Sequence, residues 1–253
     1  MENIDLNVWM LVAVFIVTFF TKTYGVIIGG ASFILQPFLL AIGVPPQMAI
    51  AHDIAGTNGS TISGLYVFRK SGSIRFKLSS YMLPGLVVGP FAGVWLLSVV
   101  PASYIENFIA VVSCLGAGYL LIRRKSKEGL EEAPLPQNWS LYAVIYGFFI
   151  GAYIGFSGAG GGIVTGLVLV SFFGLTMTQS IATKRIIHAL PFITSAFGYL
   201  AMGWLQWDLF LTVFSACLCA GWVGSHITLR LNEKVLKVIF LSAAILMALI
   251  ILF

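Results

Sequence analysis

Two stretches of the chain decide its fold: GVPPQMAIAHDIAGTNGSTISGLYVFRKSG at 43–72 and GLTMTQSIATKRIIHALPFITSAFGYLAMG at 174–203. Each opens and closes on glycine, and each carries a long apolar run interrupted by a few ionisable side chains. They start 131 positions apart, and the same offset, without a gap, pairs Gly30 with Gly161, Ala51 with Ala182 and Gly93 with Gly224. It continues through Leu78 with Leu209, Leu115 with Leu246 and Ala117 with Ala248. One fixed register over most of both halves marks an internal duplication.

Around these stretches the chain is too apolar for an aqueous surface: of 253 residues, 59% are hydrophobic and 9% charged, against roughly 45–50% and about 25% in soluble domains. A helix needs about 20 apolar residues to cross roughly 30 Å of hydrocarbon. Runs of that order lie at 47–68, 78–100, 105–122, 141–156, 178–202, 209–229 and 235–253. The short alternating strands of a closed barrel are absent. The fold class is therefore all-α and polytopic. The net charge of +5 does not point to nucleic acid, because the basic residues cluster between apolar segments, where they report topology. Cys114, Cys217 and Cys219 lie inside apolar runs without ligand spacing and read as packing residues. No metal or cofactor motif occurs, and the first residues are acidic rather than the basic start of a cleaved signal, so the first apolar stretch is expected to be retained.

Charges, Pro134 and Pro136 interrupt the pattern at 123–138, dividing the chain into a first repeat, 1–122, a cytoplasmic linker and a second repeat, 139–253. Arg69, Lys70, Arg75 and Lys77 place one loop inside, and the next, at 101–107, has no base. In the second half the order reverses: the loop at 203–208 has no base, whereas Arg230, Lys234 and Lys237 surround the following one. Equivalent loops thus face opposite sides. The expected architecture is two inverted-topology repeats with both termini outside. Between the outer N-terminus and the inner Lys70 loop lie three apolar stretches, 8–28, 31–44 and 47–68, the second only about 14 residues long. A hairpin broken at Gly29 and Gly30 followed by one crossing satisfies the parity, and so do three tilted crossings. The same choice applies to the second half at Gly158, Gly160, Gly161 and Gly162. Each repeat then has a Gly-broken hairpin or short helices plus three full transmembrane helices.

Ionisable residues inside spans are costly, about 2.5–3.5 kcal/mol each on insertion scales, and default to functional candidates. Counting from Gln47 at about 1.5 Å per residue, His52 and Asp53 lie roughly 9 Å deep from one side and Thr57 and Asn58 near the midplane. Counting from Thr178, Lys184 and Arg185 lie roughly 9–10 Å from the other side and His188 near the middle. Lys184 and Arg185 precede His188 by four and three positions, so all three share a helix face. An anion would meet a point charge at the lysine and a planar donor fork at the arginine. Asp53 alternatively serves to neutralise a base across the repeat interface. His52, Asp53 and His188 are candidates for proton coupling. Broken helices offer a second device, since Ser157, Gly158, Gly160, Gly161 and Gly162, with Gly29 and Gly30 opposite, could present backbone N–H groups and helix dipoles to an anionic group. These glycines serve equally for tight turns. Gly85, Gly89 and Gly93, equivalent to Ala216, Ala220 and Gly224, are expected to let helices approach closely. Trp9, Trp139, Trp204 and Trp207 are expected as interfacial anchors.

The Gly-rich openings Gly29-Gly30-Ala31 and Ser157-Gly158-Ala159-Gly160-Gly161-Gly162, each followed by a short run ending in Gly-Val-Pro-Pro (43–46) or Gly-Leu-Thr (174–176) and then Ala-Ile-Ala or Ser-Ile-Ala, resemble the sulfite exporter family TauE/SafE. The likeness covers nearly the whole chain. It implies a prokaryotic inner-membrane carrier of sulfite, sulfonates or related organosulfur anions. Where that family commonly has a small hydroxyl or amide pair, this chain has His52-Asp53 and Thr183-Lys184-Arg185. The expected partners are a small anion, a proton or other coupling ion, and lipid. An intramembrane enzyme using Lys184, His188 and Asp53 lacks a recognisable nucleophile and base pair. An anion channel is the other alternative.

Overall fold

A computed structural model of the chain describes residues 7–27, 29–105, 139–171, 173 and 175–231. The expected run at 105–122 beyond its first residue, the run at 235–253 and the linker at 123–138 lie outside the described residues. The described elements are eight helices: α1 (Val8–Ile27), α2 (Ser32–Ala41), α3 (Pro46–Lys70), α4 (Phe76–Val99), α5 (Trp139–Phe156), α6 (Gly161–Ser171), α7 (Met177–Ala201) and α8 (Trp207–Arg230). The chain is an all-α polytopic membrane protein. Three of the described helices are long and apolar enough to cross a bilayer: Val8–Ile27, Leu78–Val99 and Trp207–Arg230.

Helix limits follow the 131-residue register. α3 and α7 begin at 46 and 177 and end at 70 and 201; α4 and α8 begin at 76 and 207 and end at 99 and 230. The turns between them match as well, Gly72 and Gly203 having φ of 68° and 70°. Between α1 and α2 the chain reverses at Gly29 and Gly30, with φ of 99° and 78°, and between α5 and α6 at Gly158 and Gly160, with φ of 63° and 74°. Side chains with a Cβ avoid this left-handed region, which is why both breaks are glycine. α2 has 10 residues and α6 has 11, about 15–17 Å of helix, or roughly half the hydrocarbon thickness. Neither can cross it.

α3 and α7 form the centre and run antiparallel. Asn58 Nδ2 donates to the Phe192 carbonyl at 3.0 Å, Arg185 approaches Ser60, and Phe68 clusters with Ile181 and Ala182. Most of α3 is buried, from Met48 through Phe68. Its polar residues are shielded by neighbouring helices, so its sequence need not be as apolar as that of the outer helices. α8 packs on α3 with α1 beside it, and α4 packs on α7 with α5 beside it. Each half thereby places its first helix against the last described helix of the other half.

The α4–α5 contact depends on glycine. A Cβ on Gly85 would meet the Phe148 N and Val144 O, one on Gly89 the Phe148 O, and one on Gly93 the Ala152 O. From the other side, Gly147 lies on the Met82 carbonyl and Gly155 on the Pro90 carbonyl. Small residues at this spacing let backbones touch where lipid supplies no hydrophobic drive. Ala216, Ala220 and Gly224 are buried on α8, with Gly224 against Thr23 and Val26 of α1. Cys217 is buried in the core and Cys219 exposed.

Trp9 and Trp207 are 81% and 61% exposed at helix starts, as anchors would be. Trp204 differs from that expectation, being 5% exposed. After left-handed Gly203 the chain folds back, the Trp204 N–H donates to the Tyr199 carbonyl at 3.0 Å, and the indole packs on the Tyr199 ring.

Candidate functional site

The two helix breaks meet beside the middles of α3 and α7, around a cavity of about 70 Å³, several times the roughly 10–15 Å³ that one water requires. Gly29, Gly30 and Ser32 border it at the start of α2, and Gly160 and Gly162 at the start of α6. α2 begins on Ala31 with no side-chain cap, and although the Phe33 and Ile34 N–H groups turn back to the Gly30 and Ala31 carbonyls, the positive end of its dipole lies at the cavity. α3 contributes Thr57 and Ser60, three residues apart on one face, and α7 contributes Lys184, Arg185 and His188. Gly162 lies beside the lysine: a Cβ there would be in ordinary contact, 3.5 Å from Lys184 Nζ.

The cavity's two flanks differ in charge. On the α3 side, Lys22 of α1 forms a buried ion pair with Asp53 and donates to Thr57 Oγ1 at 2.6 Å. The other Asp53 oxygen accepts from Gln36 Nε2 at 2.9 Å, and the same nitrogen donates to the Ser157 carbonyl at 2.8 Å. On the α7 side, Arg185 Nη1 reaches Ser60 Oγ at 3.4 Å and its Nε has no partner. Lys184 makes no hydrogen bond or ion pair among the described residues, and it and Arg185 are 6% and 7% exposed. The acids in the described residues are Asp53 and Asp208, and Asp208 sits at the start of α8 accepting from Gln206 Nε2 at 3.1 Å. His188 Nε2 is 2.8 Å from Thr165 Oγ1.

The structure therefore brings together Lys184, Arg185, His188, Thr57, Gly29, Gly30, Gly158, Gly160 and Gly162 around one cavity. Asn58, one position beyond Thr57, turns away and donates to the Ala55 and Phe192 carbonyls. Gly161 faces Tyr153 and Ile154. Ser157 offers its carbonyl to Gln36, while its hydroxyl is buried without a partner. His52 is bound elsewhere: Nδ1 donates to the Met48 carbonyl at 2.7 Å and Nε2 accepts from the Gln206 N–H at 3.0 Å. Asp53 is paired, and its base comes from the same half rather than from across the interface. Sequence reasoning passed over Lys22 and Gln36. Lys22 carried a usable signal, because Thr18, Thr21, Thr23 and Tyr24 gather around it in the second half of a helix whose first ten residues are apolar, and Asp53 needed a cation.

The pattern describing the sulfite exporter TauE/SafE family matches residues 14–251. The chain belongs to that family. It is similar to the probable membrane transporter protein YdhB of Bacillus subtilis, with 29% identity over 86% of this chain and 89% of the relative. A probable membrane transporter protein of Haemophilus influenzae is 20% identical over 92% of this chain and 91% of its own length. YfcA of Escherichia coli K12, a probable membrane transporter protein, is 23% identical over 83% and 78%. No solved structure matches. These TauE/SafE relatives are named as transporters and not as enzymes.

Proposed function

We propose that this TauE/SafE protein is a secondary transporter of a small anion, of the sulfite and organosulfur or sulfonate class, working by alternating access. The observation that carries this reading is a pair of buried cations, Lys184 and Arg185, facing a cavity at two helix breaks with no carboxylate beside them among the described residues. An uncompensated buried ion costs several kcal/mol. An anion in the cavity offsets that cost, with a point charge from Lys184, a planar fork from Arg185 and the positive dipole ends at the α2 and α6 starts. His188, Thr57 and Ser60 complete the polar wall.

The mechanism rests on two inverted repeats, 1–122 and 139–253, joined by a cytoplasmic linker at 123–138. The antiparallel pairing of the equivalent helices α3 and α7 supports it, as does the common register of helix limits. Rocking of one repeat against the other around a fixed midplane site then exposes the cavity to each side in turn. In the prokaryotic inner membrane both termini lie outside. Cysteines at Ser103 and Gly203 are then labelled from outside and one at Gly72 is not; outside labelling at Gly72 overturns the orientation.

The test of substrate is a thermal-shift screen of purified protein against sulfite, sulfate, thiosulfate, sulfoacetate, taurine and carboxylates. A ligand at 100 times its Kd stabilises by about 2.7 kcal/mol. Saturable uptake that exchanges labelled anion in liposomes identifies a carrier; uptake that never saturates identifies a channel. Stabilisation by none of these anions overturns the reading.

A further inference from the structure

Resting on that anion reading, we infer that Asp53 is the proton-coupling group of the site and that Lys22 links it to the anion. An anion entering the cavity draws the Lys22 ammonium towards itself, and Asp53 takes up one proton from water in return. One O–H bond forms on the carboxylate, Lys22 remains an ammonium throughout, and one anion enters with one proton.

Three features carry this. Lys22 borders the cavity while Asp53 is fully buried behind it, so the ammonium stands between carboxylate and ligand. Its two partners, Asp53 and Thr57, belong to α3, and Thr57 itself borders the cavity. The third feature is Gln36, whose Nε2 is committed to Asp53 and to the Ser157 carbonyl, and whose Oε1 is a buried acceptor with no donor. A carboxylate has no proton to give that oxygen, whereas a carboxylic acid does. A half-turn of the amide presents Oε1 to the Asp53 O–H, so the protonated acid has an acceptor in place of the donor that the carboxylate uses. The same half-turn withdraws the donor from Ser157 at the α5–α6 break, which transmits the state of Asp53 to the opposite wall of the cavity.

Among the described residues, the groups facing Asp53 leave it the one carboxylate in play. α1 presents Lys22, α2 the uncharged Gln36, and α8 the buried Cys217. α7 presents Tyr199, whose hydroxyl donates to the Gly155 carbonyl at 2.8 Å, and, across the cavity, Lys184, Arg185 and His188. His52, adjacent in sequence, is held by the backbone of Gln206 and takes no part. Because coupling between two ligands is reciprocal, a proton on Asp53 frees Lys22 for the anion just as the anion favours the proton. Affinity therefore rises as pH falls, approaching about tenfold per pH unit for one linked proton.

The test is calorimetric titration of the full chain in detergent with sulfate, methanesulfonate and thiosulfate, whose own charges do not change near neutral pH. Repeating it in buffers of different ionisation enthalpy counts protons. Wild type should take up close to one proton per anion, and Asp53→Asn should bind with a pH-independent affinity and take up none. Should that variant fail to fold, the neutral pair Lys22→Gln with Asp53→Asn decides, and it should bind more weakly without proton uptake. Wild-type binding that is flat with pH and releases or takes up no proton overturns the coupling and leaves the anion reading standing. Proton uptake that survives loss of Asp53 also overturns it. Binding of none of the three anions overturns both.

Discussion

Asp53 and Lys184 stand 131 positions apart, as do Thr57 and His188, so both flanks of the cavity are built from equivalent positions on α3 and α7. They are wired in opposite ways. The α3 flank is closed on itself, with Asp53 paired to Lys22 and held by Gln36. The α7 flank presents Lys184 and Arg185 to the cavity with no acid among the described residues to meet them. Positions in one register thus supply the two walls, and the charges placed on them make one neutral and one positive. Breaking a closed pair and removing an open charge should consequently have opposite signs.

The largest effect is expected on the closed flank. Lys22→Met should destabilise by about 3–5 kcal/mol, because it strands a buried carboxylate. Adding Asp53→Asn should restore most of that loss. On the open flank, Lys184→Met should stabilise the anion-free protein and raise its melting temperature, by an amount comparable to the ~1–4 kcal/mol gained when buried ion pairs give way to apolar groups. The same variant should lose stabilisation by added anion. A destabilised Lys184→Met, with recovery on removing Asp53, would show that the two flanks form one pair after all.

Away from the charges, Gly89→Ala should cost about 1–3 kcal/mol, since the new methyl meets the Phe148 carbonyl and must push α4 from α5. An unchanged melting temperature would show the interface to be looser than the structure has it. The smallest effect is expected for Thr165→Val, which removes the hydroxyl at His188 Nε2. It should lower stability by about 0.5–1.5 kcal/mol and leave anion binding within a few fold.

The scaffold was readable because it is written in short-range terms. Gly29, Gly30, Gly158 and Gly160 stop helices by backbone conformation alone, and the register linking Pro46 to Met177 needs only two strings laid side by side. Lys184, Arg185 and His188 were grouped because helical spacing fixes their common face. Lys22 and Asp53 were not joined, since their meeting depends on how α1 leans against α3 and α8, which no local pattern encodes. Asn58 was placed beside Thr57 by depth, yet one residue is about 100° of helix, enough to aim it at Phe192 instead. Trp204 was read as an anchor from its position at a span end, whereas the left-handed turn at Gly203 folds it inward. The glycines of α4 were legible; their counterparts Gly147, Gly151 and Gly155 acquire meaning only once the partner helix is known.

The exchange of helices between halves has a consequence for biosynthesis. α1 packs on α8, whose first residue is made about 200 positions after that of α1. At about 5–20 residues per second, the ribosome leaves α1 waiting on the order of 10–40 s for that neighbour. During this delay its one buried ammonium, on Lys22, would be exposed to lipid on the unsheltered side. Asp53 follows only 31 residues later and so emerges within seconds. The ion pair can form while the nascent chain is still incomplete, acting as a temporary chaperone within the sequence until α8 arrives to enclose it.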